Sequence, residues 1–187
     1  MASFVPQAIP DVILVQPKVH TDTRGFFAEG YNQQVYAEGG IGIAFVQDNL
    51  SVSRRGVLRG LHAQRERPQG KLLWVLEGRI LDVAVDIRVG SPTFAQWVSA
   101  ELNDENLHQL YVPPGFAHGF VVLSEWAKVT YKVSDFRQAG DEIAIAWNDP
   151  EIGVAWGVDN PVLSDRDAAA GLLSEQRDKL PIYGGQP

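Results

Sequence analysis

The clearest pattern in the chain runs from Leu81 to Val89, where Leu81, Val83, Val85, Ile87 and Val89 alternate with Asp82, Ala84, Asp86 and Arg88. A period of two predicts a strand. Similar runs predict strands at Val12 to Val19, Phe45 to Ser53, Lys71 to Leu76, Phe94 to Leu102, Leu110 to Val112, Phe120 to Leu123, Ala127 to Ser134 and Glu142 to Trp147. Within Phe45 to Ser53, Val46, Leu50 and Val52 share one face, while Gln47, Asn49, Ser51 and Ser53 share the other. A face of amides and hydroxyls either meets solvent or lines a polar cavity. His20 to Glu29 reads as a polar turn ending in two aromatics, and Glu77-Gly78 and Asn103 to Asn106 read as further turns. Asn32 can cap a short helix over Gln33 to Glu38, stopped by Gly39-Gly40. Ser164 can cap a second helix from Asp165 to about Gln176, with Leu172 and Leu173 as its apolar contacts. About nine short strands and one late helix predict an all-β fold: an antiparallel jelly-roll barrel or sandwich with short peripheral helices and a C-terminal helix.

The chain has 187 residues and shows no linker, repeat or low-complexity stretch, so a single domain over 1–187 is expected. Its jelly-roll core is expected over about 42–150, after N-terminal strands at about 12–30 and before a helical tail at about 164–180. The net charge of −7 argues against general affinity for nucleic acid or acidic membranes, while permitting a local basic cluster for one anionic ligand. With no cysteine, disulfides, thiolate metal sites and cysteine nucleophiles are excluded, which is compatible with a reducing cytoplasm. The segment Met1 to Asp11 lacks a basic region followed by an apolar run, so no signal peptide is expected there. No apolar run approaches the ~20 residues needed to span a bilayer.

Candidate chemistry concentrates in Gly56 to Gly78, which holds a histidine, several arginines and a lysine between two apolar runs. His20 and His108 lie in polar segments and are expected at the surface. His62 and His118 each follow a glycine or proline-glycine element beside an apolar strand, as either rim histidines satisfied by backbone bonds or functional groups. The segment His62-Ala63-Gln64 lacks the second histidine of the H-x-H pair found in metal-holding cupin barrels, and Gln64 is a poor transition-metal ligand. Metal catalysis is therefore not expected, although His62, His118 and a carboxylate make a conceivable three-ligand set.

A neutral imidazole remains as a general base near pH 7. Acting on carbon it needs help, since each pK unit of mismatch with the C–H acid is worth about 1.36 kcal/mol. An adjacent carbonyl must take the charge as an enolate, and a cation must hold that oxygen. Lys71 is the candidate cation and Arg59 a candidate for a phosphate or carboxylate; for each the commoner fate is the surface. Tyr131 is either a half-buried core tyrosine or a proton donor to the side of the carbon opposite the base. Asp167 stands at capping-box spacing from Ser164, and the competing role is to bond the far nitrogen of His62.

These residues, in this order, resemble the dTDP-4-dehydrorhamnose 3,5-epimerase family of nucleotide-sugar epimerases. The resemblance is carried by Asp22-Thr-Arg-Gly-Phe-Phe-Ala-Glu29, Gln47-Asp-Asn-Leu-Ser-Val-Ser53, Gly56-Val-Leu-Arg-Gly-Leu-His62, Lys71-Leu, Asp82-Val-Ala-Val-Asp-Ile-Arg88 and Gly90-Ser-Pro-Thr-Phe94. It continues through Pro114-Gly-Phe-Ala-His-Gly-Phe120, Tyr131-Lys132, Trp147-Asn-Asp-Pro150 and Leu163-Ser164 with Asp167. It implies a cupin-like jelly-roll homodimer that uses no metal or cofactor, acts on a dTDP-4-keto-6-deoxy-hexose, and binds neither nucleic acid nor membrane. By position, His62 is implied as the base with Asp167 as its partner, Lys71 as the enolate stabiliser and Tyr131 as the opposing proton donor. Arg59 and His118 are implied to contact the diphosphate and sugar, and Gln47 and Asn49 the nucleotide. Arg24, Phe27 and Glu29 are implied to reach the neighbouring subunit's site through the N-terminal strands. Glu142 and Arg166 match substrate-contact positions, and Phe136 stands where a tyrosine often packs near the nucleobase. The chain departs from the family at Ala63 for an aromatic, Trp74 for a polar or basic residue, Phe136 for that tyrosine and Arg166 for a lysine. Alternatives of the same ancestry are a mono-epimerase acting at C3 or C5 only and a 3,4-ketoisomerase; a non-catalytic barrel binding a sugar or metal is the third.

Overall fold

The computed structural model describes residues 1–185. Two long strands form its spine, β7 (Lys71–Asp86) and β10 (Phe116–Val133). They run antiparallel, with Val133 opposite Lys71 and Phe116 opposite Asp86. The alternation pattern splits each of them into two strands. The structure joins them because Glu77-Gly78 is a bulge and not a turn: Gly78 has φ +83 and packs so closely on the Trp126 backbone that a Cβ would collide with it. The register shifts at the same level of β10, between Val122 and Ala127.

Each long strand changes its outer partner along its length. On β10, Trp126 to Val133 pairs with β5 (Gln47–Arg54), and His118 to Val121 pairs with β6 (Leu58–Gln64). On β7, Lys71 to Trp74 pairs with β9 (Gln109–Val112), and Arg79 to Val85 pairs with β8 (Trp97–Asn103). The sheet continues from β9 to β2 (Ile13–Gln16) and β1 (Ser3–Pro6), and from β6 to β11 (Glu142–Ala144). This nine-stranded antiparallel sheet has the all-β, jelly-roll character expected from the pattern. Both faces of β7 are covered: Ile80 and Ala84 join one apolar core with Leu102, Phe116 and Phe120, while Val83, Val85 and Ile87 join a second with Leu61, Ile145 and Leu173.

Several segments differ from expectation, including β1 and β6, where no strand is expected from the alternation. His20 to Glu29 is not a turn but a separate hairpin of β3 (Val19–Asp22) and β4 (Gly25–Ala28), which leaves Phe26 and Phe27 exposed. The second helix is short: α2 covers only Asp165–Ala168, and a 3-10 helix covers Leu173–Lys179. Between them the backbone joins the sheet, Ala146 N–H donating to the Gly171 carbonyl at 2.9 Å, which stops the α-helix. His108 is half-buried, whereas His20 is exposed. The first helix, α1 (Gln33–Glu38), forms where the sequence predicts, with Asn32 accepting from the Gln34 and Val35 amides.

On β5 the polar face turns inward and the apolar face outward. Val46, Leu50 and Val52 are 46%, 63% and 50% exposed, while Ser53 is buried.

Candidate active site

A cavity of about 520 Å³ opens between the strands. Gln47, Asn49 and Ser51 of β5 line one wall, Arg59, His62 and Gln64 of β6 another. Lys71 of β7, His118 and Tyr131 of β10, Glu142 of β11 and Arg166 and Asp167 of α2 complete it. Period-two alternation supplies these groups, since every second residue of β5 and β10 points the same way. Two glycines let the walls meet: a Cβ on Gly60 would lie 2.5 Å from Gly119 Cα. The backbones of β6 and β10 touch there, and His62 and His118 become register partners.

His62 Nε2 lies 2.5 Å from Asp167 Oδ1, and Asp167 is buried. Ser164 Oγ also accepts from the Asp167 amide at 3.2 Å, so this residue sits at a helix start and against the imidazole at once. Burial works against the Asp167 charge, but the His62 ring, Ser164 and Arg166 more than offset it, holding the carboxyl below its ordinary value. Lys71 Nζ donates to the His62 carbonyl at 3.2 Å. Its burial pushes the ammonium from 10.5 down to about 8, against the opposing pull of Asp82 and Glu142. Burial likewise raises the Tyr131 phenol, while Arg59 and Arg137 act in the opposite direction.

The flanking groups are held in place by hydrogen bonds. Arg59 Nε donates to Ser53 Oγ at 3.0 Å, and Gln47 Nε2 donates to Asn49 Oδ1 at 2.8 Å. Glu142 accepts from Arg166 at 2.7 Å and from Arg137 at 3.0 Å. His118 Nε2 lies 2.7 Å from the buried Asp82 Oδ1. Four expected residues are not brought to this cavity within one chain. Arg24 pairs with Asp22 at 2.6 Å on the hairpin, Phe27 is 70% exposed, Glu29 follows the hairpin, and Phe136 is 58% exposed.

Three polar lining residues carry no signal in the sequence reading: Ser51, read only as part of a polar face, Gln69 and Arg137. Asp82 is a further omission, because its strand face reads as the polar side until burial of both faces is seen. Among the described residues, no group of three or more His, Asp or Glu side chains is arranged to hold a metal ion. The two cavity histidines each face a different aspartate. An imidazole backed by a carboxylate, a buried ammonium and a phenol on one cavity can remove a proton beside a carbonyl, hold the oxyanion and return a proton to carbon.

The family model described as dTDP-4-dehydrorhamnose 3,5-epimerase matches residues 6–175. A Pseudomonas aeruginosa protein of that name is 55% identical over 162 residues, covering 86% of this chain and 90% of the relative. One from Salmonella typhimurium is 52% identical over 178 residues, covering 94% and 97%. Among solved structures, a dTDP-6-deoxy-D-glucose-3,5-epimerase from Legionella pneumophila in complex with dTDP-4-keto-L-rhamnose superposes with a TM-score of 0.94 at 46% identity, covering 98% of this chain and 99% of that one. Both the strand framework and the sequence along nearly its whole length thus agree with one group of enzymes, and the chain belongs to the dTDP-4-dehydrorhamnose 3,5-epimerase family.

Proposed function

We propose that the protein epimerises C3 and C5 of dTDP-4-dehydro-6-deoxy-glucose, giving dTDP-4-dehydrorhamnose. The observation that carries this reading is the His62–Asp167 pair at 2.5 Å, on a cavity that Lys71 and Tyr131 also line. His62 takes the proton from the carbon beside the C4 ketone. The C–H electron pair becomes the enolate, and the Lys71 ammonium holds the C4 oxygen. Tyr131 gives its proton to the opposite face, restoring the ketone with inverted configuration. Each inversion leaves a protonated His62 and a Tyr131 phenolate, and exchange with solvent resets both before the second carbon reacts. Asp167 fixes the His62 ring and stabilises its cation.

Arg59, His118 and Arg166 present positive or donor groups to the diphosphate and sugar, while Gln47, Asn49 and Glu142 contact the nucleotide and sugar. Arg24, Phe27 and Glu29 serve the partner's cavity in a homodimer, and Phe136 packs near the nucleobase. The outward apolar face of β5 and the bare aromatics of the β3–β4 hairpin support assembly, since such surfaces favour a partner. The reaction is expected in the cytoplasm, with which a chain free of cysteine is compatible.

Incubation with dTDP-4-dehydro-6-deoxy-glucose in D₂O, followed by NMR at C3 and C5, tests the reading. Deuterium at both carbons with inversion is expected. Exchange at one carbon replaces it with a mono-epimerase, and migration of the ketone with a ketoisomerase. Folded protein that exchanges neither carbon removes the epimerase reading.

A further inference from the structure

One ionisable group beside the cavity has no part in the chemistry above. Asp82 is completely buried, on the face of β7 that carries Ile80 and Ala84. Its Oδ1 meets His118 Nε2 at 2.7 Å, while its Oδ2 has no hydrogen-bond partner among the described residues. Three other buried aspartates are well supplied. Asp86 accepts from Ser91, Thr93 and Arg88; Asp141 accepts from the Glu66 and Arg67 amides; Asp149 accepts from three amides. Aspartate is almost never fully buried unless paired, so the bare oxygen of Asp82 calls for a compensating charge.

Lys71 supplies it. An ammonium has three donors, and the Lys71 ammonium spends one on a protein acceptor, the His62 carbonyl. Arg59 and His62 on β6 and His118 and Tyr131 on β10 share the cavity with it, while Asp82, on its own strand, lies behind His118, the register partner of the His62 whose carbonyl Lys71 holds. Glu142 on β11, Asp167 and Arg166 on α2, and Arg137 line it as well. Of these, Asp82 bears on Lys71 most strongly, ahead of Glu142. Asp82 therefore touches the His118 ring directly and acts on the Lys71 ammonium through the field.

We propose that Asp82 is a positioning residue for the epimerisation: Oδ1 fixes His118 with its proton on Nε2, and Oδ2 is the countercharge that keeps Lys71 an ammonium inside the protein. The inference rests on Lys71 being the group that holds the enolate oxygen. It gives the reaction a dependence on a residue that touches no substrate. Asp82→Asn retains an acceptor for His118 and removes the charge, so it separates the two roles. Burial already lowers Lys71 and Asp82 pulls it upward, so loss of Asp82 lowers it further.

Two readouts follow Asp82→Asn. The titration of Lys71, read from the ¹³Cε resonance of labelled lysine, is expected to move to lower pH by about one unit or more. The alkaline limb of the kcat profile for deuterium incorporation is expected to move with it, while KM changes little. An unmoved Lys71 titration overturns the countercharge. A moved titration with an unmoved kcat limb overturns the role in the reaction. Wild-type protein that incorporates no deuterium fails the epimerase reading instead, and the lysine titration still judges the pair. Should Asp82→Asn not fold, the ¹⁵N spectrum of the wild-type rings decides: His118 protonated on Nε2 supports the proposal, and His118 protonated on Nδ1 overturns it.

Discussion

Lys71 is held where its charge is least comfortable. Bringing an ammonium from 10.5 to about 8 corresponds to about 3 kcal/mol. Between those two values the unfolded chain binds more protons than the folded one, so stability rises with pH across the window. Below about pH 8 the cost is present in full. Lys71→Met removes that cost but strands the buried Asp82 carboxylate, so it is expected to destabilise the fold at pH 7 while eliminating deuterium incorporation. Denaturant unfolding at pH 7 checks this, and a Met variant more stable than the wild type would show that Asp82 does not need Lys71 as its countercharge. His62→Ala is expected to abolish exchange at both carbons in a protein that still melts cooperatively. Asp167→Asn keeps the geometry but not the charge, and kcat is expected to fall by about 10²–10⁴. A loss under threefold would leave Asp167 with helix capping alone.

At the scale of elements, the contact of β6 with β10 makes the site possible. Gly60 combines φ +126 with a neighbouring backbone that a Cβ would strike at 2.5 Å; Gly25 has φ +124 in open space. Gly60→Ala is expected to cost roughly 2–4 kcal/mol and Gly25→Ala about 1 kcal/mol, since only the first adds a collision to the backbone strain. Equal midpoints in paired denaturant titrations would show that β6 can retreat. The same elements explain what could be read from the chain. Alternation reveals β5, β8, β9 and the two halves each of β7 and β10, and the Asn32 cap reveals α1. It does not reveal that Gly78 continues a strand, because a bulge and a turn use the same residue. A bulge also resets which side chains face inward, so the place of Asp82 against His118 has no counterpart in the spacing. His62, Asp167, Lys71, Tyr131, Arg59 and His118 were recognisable as a set and do meet at one cavity. Arg137 was not, because its place depends on a loop path that no local pattern encodes. The tail read as a long helix because its Ser164 cap is real; the competing demand of the sheet for the Gly171 carbonyl lies outside the segment.

For the whole molecule, Arg24 and His62 belong to different surfaces of one chain, and the proposed homodimer unites them. If each cavity needs Arg24 from the partner, His62→Ala and Arg24→Ala proteins are both impaired alone. Mixed and allowed to exchange subunits, they rebuild one intact cavity in each heterodimer. About a quarter of wild-type activity is expected from equal amounts, because half the dimers are mixed and each holds one working site. Activity no greater than the mean of the two separate proteins would assign Arg24 to its own subunit or to none. A concentration-dependent sedimentation profile provides the independent check on assembly.

The outward apolar face of β5 has a consequence for error. Side chains along a strand swap sides when the pairing slips by a single residue. Slippage of β5 against β10 would turn Gln47 and Asn49 to the outside and carry Leu50 and Val52 into the cavity. Such a copy would forfeit nucleotide recognition and its surface for a partner in the same event. Misregistered chains would thus exclude themselves from the proposed homodimer, making assembly a proofreading step for the strand proposed to read the ligand.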